Sequence, residues 1–189
     1  MTKYILHGGN TSTQSEDNNK FFFEIIKDLP SPINLLIVYF SREDEEWPKL
    51  LKQDKKVINS IAEGKSINFV LADKDTKKFV QQVKNADAIY MRGGETSMLK
   101  KALIGIKDLK GLFDNKVIAG SSAGAYVLSR YYMSSRGEMG EGLGILPIKT
   151  FAHYEESRKS ELDKLKHFGD KLTTYPLEEM KFVVLKEAK

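Results

Sequence analysis

Along this chain, short apolar runs alternate with longer stretches in which apolar residues recur at helical spacing. Residues 3–6 read as a first strand that ends at His7-Gly8-Gly9-Asn10. Residues 16–29 carry Phe22, Phe23, Ile26 and Leu29 on one helical face, and Pro30 and Pro32 stop the helix. The apolar run 33–40, interrupted at Asn34, suits a central parallel strand buried on both faces. An acidic loop, 41–46, leads into a helix over 47–61 with Leu50, Leu51, Val57, Ile58 and Ile61 as its buried stripe. The pattern then predicts strand 67–71, helix 75–85, strand 88–91, helix 97–103, a helical turn at 109–113 and strand 117–119. Beyond a helix that begins at residue 123 the rhythm changes. A short strand is expected within 130–135, a glycine-rich loop at 137–144 and a strand at 149–151. Helix 157–168 and closing strands at 172–175 and 182–185 complete the reading.

Regular alternation of strand and helix predicts an α/β fold: a mostly parallel, doubly wound sheet with helices on both faces. A length of 189 residues with no repeat, low-complexity tract or linker predicts one domain over 1–189. In such sheets, sites form at the C-terminal ends of strands. Three loops qualify by position: 8–10, 92–96 and 120–122.

The third loop carries the chemistry. In Val117-Ile118-Ala119-Gly120-Ser121-Ser122-Ala123-Gly124-Ala125-Tyr126-Val127-Leu128, an apolar strand runs into a sharp turn and then a helix. Gly120 and Gly124 flank Ser122 in the spacing G-x-S-x-G. A nucleophilic serine must be pushed out of the fold on a strained turn, where bulky neighbours two positions away would collide. The following helix start offers free amides to a developing oxyanion. Read without chemistry, the same glycines allow close strand–helix packing and Ser122 is a helix cap.

A serine nucleophile needs a base. Of the three histidines, His167 sits in an amphipathic helix, His7 ends the first strand, and His153 follows a strand downstream of Ser122, where a base would fall. The pair Gly93-Gly94 after strand 88–91 reads as a backbone nest whose amides point at an anion. This makes the Gly94 and Ala123 amides the expected oxyanion donors.

Composition narrows the classes. There is no cysteine, so disulfides, thiolate chemistry and Cys-ligated metals are excluded. No His/Asp/Glu cluster has metal-ligand spacing, and neither a metal nor a cofactor is expected. The net charge of +4 comes from lysines scattered along the chain, without the aromatic-interleaved basic patch of a nucleic-acid binder. No apolar run reaches a membrane span, and the start is too short and strand-like for a signal peptide. The expectation is a cytoplasmic protein that binds neither nucleic acid nor membrane. Monomer and homodimer both stay open.

Four motifs together resemble the peptidase E and cyanophycinase family of serine peptidases. They are Ala86-Asp87-Ala88-Ile89-Tyr90-Met91-Arg92-Gly93-Gly94-Glu95-Thr96, Gly120-Ser121-Ser122-Ala123-Gly124-Ala125, Gly142-Leu143-Gly144-Ile145-Leu146-Pro147 and His153-Tyr154. They occur in the family order, and the resemblance spans residues 3–185. It implies a class I glutamine amidotransferase-like fold with serine in place of that fold's cysteine. It also implies hydrolysis of peptide bonds after acidic residues, in Asp-X dipeptides or in the polymer cyanophycin. Carried over, Ser122 is the nucleophile and His153 the base, and the Gly93-Gly94 turn forms the oxyanion hole with Ala123. The family places an acid between the nucleophile helix and the histidine. Glu138 suits that spacing better than Glu141. Arg158 matches a family arginine that binds an acidic substrate side chain, as a bidentate guanidinium–carboxylate pair would.

Two departures stand out. Glu95 occupies the place of an asparagine in the family's Gly-Gly-Asn-Thr turn, and the family's further C-terminal strands do not follow 182–185. The expected function is hydrolysis of a small peptide through Ser122, His153 and Glu138 by way of an acyl-enzyme. A catalytically silent small-molecule-binding member of the fold, and an esterase or amidase, are the alternatives.

Overall fold

The computed structural model describes residues 1–187. In chain order the elements are β1 (Thr2–His7), α1 (Glu16–Ile26), β2 (Ile33–Val38), α2 (Trp47–Ser60), β3 (Ile67–Leu71), α3 (Thr76–Asn85), β4 (Ala88–Met91), α4 (Thr96–Leu103) and α5 (Leu109–Leu112). There follow β5 (Val117–Ser121), α6 (Ala123–Leu128), β6 (Ser129–Met133), β7 (Met139–Glu141), β8 (Leu146–Ala152), α7 (Lys159–His167), β9 (Thr173–Leu177) and β10 (Phe182–Glu187). Single 3-10 turns precede α2 and α7, at Asp44–Glu46 and Glu156–Arg158.

The strands form two sheets. The six-stranded sheet has the order β10-β1-β5-β4-β2-β3, and the four-stranded sheet the order β7-β6-β8-β9. β1, β5, β4, β2 and β3 are parallel, and only the edge strand β10 runs antiparallel. In the smaller sheet β6, β8 and β9 are parallel and β7 is antiparallel.

The apolar runs behave as two-faced strands. Ile5, Leu35, Ile37, Ala88, Tyr90, Val117 and Ala119 bury one face against Phe21, Phe22, Ile25 and Ile26 of α1 and Leu50 and Ile58 of α2. The alternate residues Tyr4, Leu6, Leu36, Val38, Ile89, Met91 and Ile118 bury the other against α3, α4, α5 and α6. This is the period of two expected of a strand covered on both sides. The smaller sheet rests one face on Leu162 and Leu165 of α7.

Helix starts follow their caps. Ser15 caps α1 by accepting from the Asn18 amide, and Asp75 caps α3 by accepting from the Lys78 amide. The α/β class holds, with three corrections to the sequence reading. The expected single sheet is two sheets, because the chain after α6 turns away to build a second layer. The glycine-rich loop 137–144 contains the short strand β7. The two closing strands part company: β9 joins the smaller sheet and β10 edges the larger one.

Candidate active site

Ser122 sits between the end of β5 and the start of α6. Its φ of 47° and ψ of −105° lie outside the regions an L residue ordinarily occupies. The surroundings hold it there. The Ser122 amide donates to the His7 carbonyl at 2.9 Å, and its own carbonyl accepts from the Tyr126 amide at 2.9 Å. The flanking glycines are a packing requirement. A Cβ on Gly124 would stand 2.4 Å from the Met91 carbonyl oxygen, and one on Gly120 would stand 2.5 Å from the Gly124 carbonyl carbon. Backbone therefore packs on backbone where β4, β5 and α6 converge, and the strained serine is the corner of that contact.

His153 follows β8 and has a positive φ of 56°. Its amide donates to the Gly8 carbonyl at 2.8 Å, which ties it to the loop after β1. Its Nε2 lies 3.0 Å from Ser122 Oγ. Its Nδ1 lies 2.8 Å from Glu179 Oε1. The second Glu179 oxygen accepts from Asn10 Nδ2 at 3.0 Å. The hydrogen bond from His153 holds the Glu179 carboxyl below the usual glutamate range. Gly9 forms the floor under the imidazole: a Cβ there would stand 2.2 Å from His153 Cε1.

The carboxylate beside His153 is thus Glu179, not Glu138 or Glu141. Glu138 lies in the β6–β7 turn, its amide donating to Ser134 Oγ at 3.1 Å, and it lines a cavity on the other side of Ser122. Glu141 faces Arg130 at 3.8 Å. Glu179 lies in the turn between β9 and β10. The sequence signal available for it was an acid after a strand C-terminus, past the histidine rather than before it.

The other two histidines have other partners. His7 is fully buried. Its Nδ1 accepts from the Gly9 amide at 3.0 Å, so its proton sits on Nε2 and is donated to Asn18 Oδ1 at 3.0 Å. Burial pushes its pKa down to about 4. His167 Nδ1 lies 2.7 Å from the Asp163 carbonyl on the exposed side of α7.

Two cavities meet at Ser122 and Gly94. One, of about 240 Å³, is lined by Glu95, Tyr126, Tyr132, Arg136 and Glu138. The other, of about 420 Å³, is lined by Asn10, Arg42, Arg92, Gly93, His153 and Glu179. Glu95 caps α4, accepting from the Ser97 amide at 3.4 Å and the Ser97 hydroxyl at 3.0 Å, and faces Arg136 at 3.6 Å. Arg158 lines a third cavity, of about 820 Å³, with His153 and Glu179 but without Ser122. Its Nη2 and Nε donate to the Glu161 carboxylate at 2.5 and 3.1 Å, Nη2 also reaches the Ser134 carbonyl at 3.2 Å, and the guanidinium lies over the Phe151 ring. Among the described residues, no group of three or more His, Cys, Asp or Glu is placed to hold a metal ion. No helix among them is long and apolar enough to cross a membrane.

The fold recurs among known proteins. A peptidase from an acI-B1 Actinobacterium superposes with a TM-score of 0.73 at 23% identity, over 98% of this chain and 84% of that one. A protein from Listeria monocytogenes EGD-e named for peptidase E superposes with a TM-score of 0.64 at 17% identity, over 100% of both chains. These likenesses establish a shared fold, of the glutamine amidotransferase-like type. No curated protein matches the sequence. The model of peptidase family S51 matches residues 6–189. With a match over nearly its full length, this chain belongs to peptidase family S51, a family of serine-type peptidases.

Proposed function

We propose that this protein hydrolyses short peptides with Ser122 as nucleophile, His153 as general base and Glu179 as the group that orients the base. The carrying observation is the unbroken relay from Ser122 Oγ to His153 Nε2 at 3.0 Å and from His153 Nδ1 to Glu179 at 2.8 Å. Ionised Glu179 accepts the Nδ1 proton, which leaves Nε2 as the basic nitrogen facing the hydroxyl.

Ser122 Oγ attacks the scissile carbonyl carbon while His153 Nε2 takes the hydroxyl proton. The imidazolium formed is stabilised by the Glu179 carboxylate. The carbonyl oxygen becomes an oxyanion, and the Gly94 and Ala123 amides are assigned as its donors because each adjoins Ser122. One such donor is worth about 10²–10³ in turnover. The C–N bond then breaks as His153 returns its proton to the leaving amine. Water, deprotonated by the same imidazole, attacks the acyl-enzyme and releases the acid.

Short peptides, Asp-X dipeptides first among them, are the substrates this reading assigns. The test is a fluorophosphonate probe with the adduct mapped by mass spectrometry, followed by a dipeptide panel. The reading expects a single adduct on Ser122, none on Ser122→Ala, and peptide hydrolysis lost in that variant. Folded protein that neither reacts with the probe nor cleaves any peptide would overturn it in favour of a silent binding protein. Cleavage of esters alone would move it to an esterase.

A further inference from the structure

Four arginines stand around the candidate site, and their partners separate them. Arg136, in the companion cavity, faces Glu95 at 3.6 Å. Arg158 is taken bidentately by Glu161 and by the Ser134 carbonyl. Arg92 is buried, with one Nη on Asp54 and the other donating to Ser12 Oγ at 2.7 Å. Arg42 differs from these. It lies in the loop after β2, at the C-terminal edge of the sheet. Its backbone is pinned by its amide to the Tyr39 carbonyl at 2.8 Å and by Trp47 Nε1 to its carbonyl at 3.1 Å. Its Nε donates to the Gly93 carbonyl at 2.7 Å, which fixes the plane of the guanidinium against the Gly93-Gly94 turn. Among the described residues the remaining edge meets only Glu46, at 3.6 Å from Nη1, between two side chains that are 37% and 45% exposed. An exposed pair at that distance yields readily to a better-placed anion.

The cavity that Arg42 lines also contains Ser122 and His153. The one carboxylate that lines it, Glu179, is committed to His153 and Asn10. Arg92, held by Asp54 and Ser12, and the hydroxyls of Thr11, Ser12, Ser121 and Ser135 complete its polar lining. Across Ser122, the companion cavity carries Glu95 and Glu138 against the single Arg136. The two sides therefore differ in sign, and a substrate anion is favoured on the Arg42 side.

From this we infer that Arg42, held by the Gly93 carbonyl beside the reacting centre, receives a carboxylate of the substrate through its open guanidinium edge. The inference rests on the peptidase reading for its location but not for its binding chemistry. The carboxylate comes either from an acidic side chain at the scissile residue or from the peptide C-terminus. Both present the planar two-oxygen acceptor that a guanidinium fork matches.

Two substrate pairs distinguish the sources: Asp-Ala against Asn-Ala, and either peptide with a free against an amidated C-terminus. In wild type the carboxylate-bearing member of one pair is preferred through KM. Arg42→Gln raises the KM for that member about tenfold, the size expected of one charge-assisted contact at a half-exposed site, and leaves the neutral member within about twofold. Arg42→Lys restores part of the preference, since it keeps the charge and loses the fork. Binding of the same peptides to Ser122→Ala, with and without Arg42→Gln, is measured by calorimetry. Carboxylate-dependent binding that Arg42→Gln removes supports Arg42 even if wild type cleaves nothing, in which case only the peptidase reading falls. Equal loss on charged and neutral peptides, unchanged preference in Arg42→Gln, or no carboxylate preference in either pair overturns the inference.

Discussion

At the scale of single residues, the candidate site separates groups that look alike in sequence. Glu138, Glu141 and Glu179 all follow Ser122 in the chain, and of these Glu179 hydrogen-bonds His153. Glu179→Gln keeps the volume but turns an acceptor into an amide that can present N–H to Nδ1, favouring the wrong tautomer. It is expected to lower kcat by about 10²–10⁴ with KM within a few fold. Steady-state kinetics on any cleaved peptide checks this, and Glu138→Gln is expected to cost far less. An equal or larger loss in Glu138→Gln would restore the acid that the motif spacing suggested. Spacing misled because distance along the chain says little about which turn lies beneath an imidazole. Ser122 and His153 are themselves 31 residues apart, and Glu179 is brought in by a turn from beyond α7.

At the scale of elements, loops at the ends of β1, β5, β8 and β9 share one wall of the site. The loop after β1 does the most. Gly8 accepts the His153 amide, Gly9 lies under the ring, and Asn10 holds Glu179. Gly9 has a φ of +114°, which disfavours any side chain, and a methyl group there overlaps the imidazole. Gly9→Ala is expected to move His153 off Ser122 and reduce kcat about 10²-fold, while costing roughly 1–3 kcal/mol of stability. Kinetics beside urea denaturation separates the two effects. A variant that is destabilised yet keeps its full kcat would show that Gly9 serves only the loop. The sequence marked this loop by position and composition. Why it matters came from the fold, since nothing near Gly9 in the chain indicates that residue 153 rests on it.

At the scale of the whole molecule, the core carries a titratable group with a folding consequence. His7 is buried and neutral, with its pKa lowered from 6.5 to about 4. Between those values the unfolded chain binds a proton that the folded one refuses. Stability from this group is therefore complete above about pH 6.5 and is lost as pH falls toward 4, by roughly 3 kcal/mol at most. Urea unfolding from pH 7.5 to 4.5 is expected to show this slope in wild type and a flatter one in His7→Gln. Equal slopes would mean that His7 takes up its proton as readily in the fold as in the unfolded chain.

The larger sheet was legible in the chain because its strands are two-sided. Largely apolar runs such as Ile33–Val38 have one stable place, between two helical layers. Ser122 was legible because its strained turn requires small neighbours that leave a mark at fixed spacing. By contrast, the smaller sheet, the separation of β9 from β10, the Glu179 partner and the open edge of Arg42 rest on contacts between distant segments. No local pattern encodes them: a side chain's hydrogen-bond partner is settled by which turns the packed layers bring together. The sequence determined the elements and the nucleophile's turn, while the tertiary structure alone decided which acid, which glycine and which arginine stand around it.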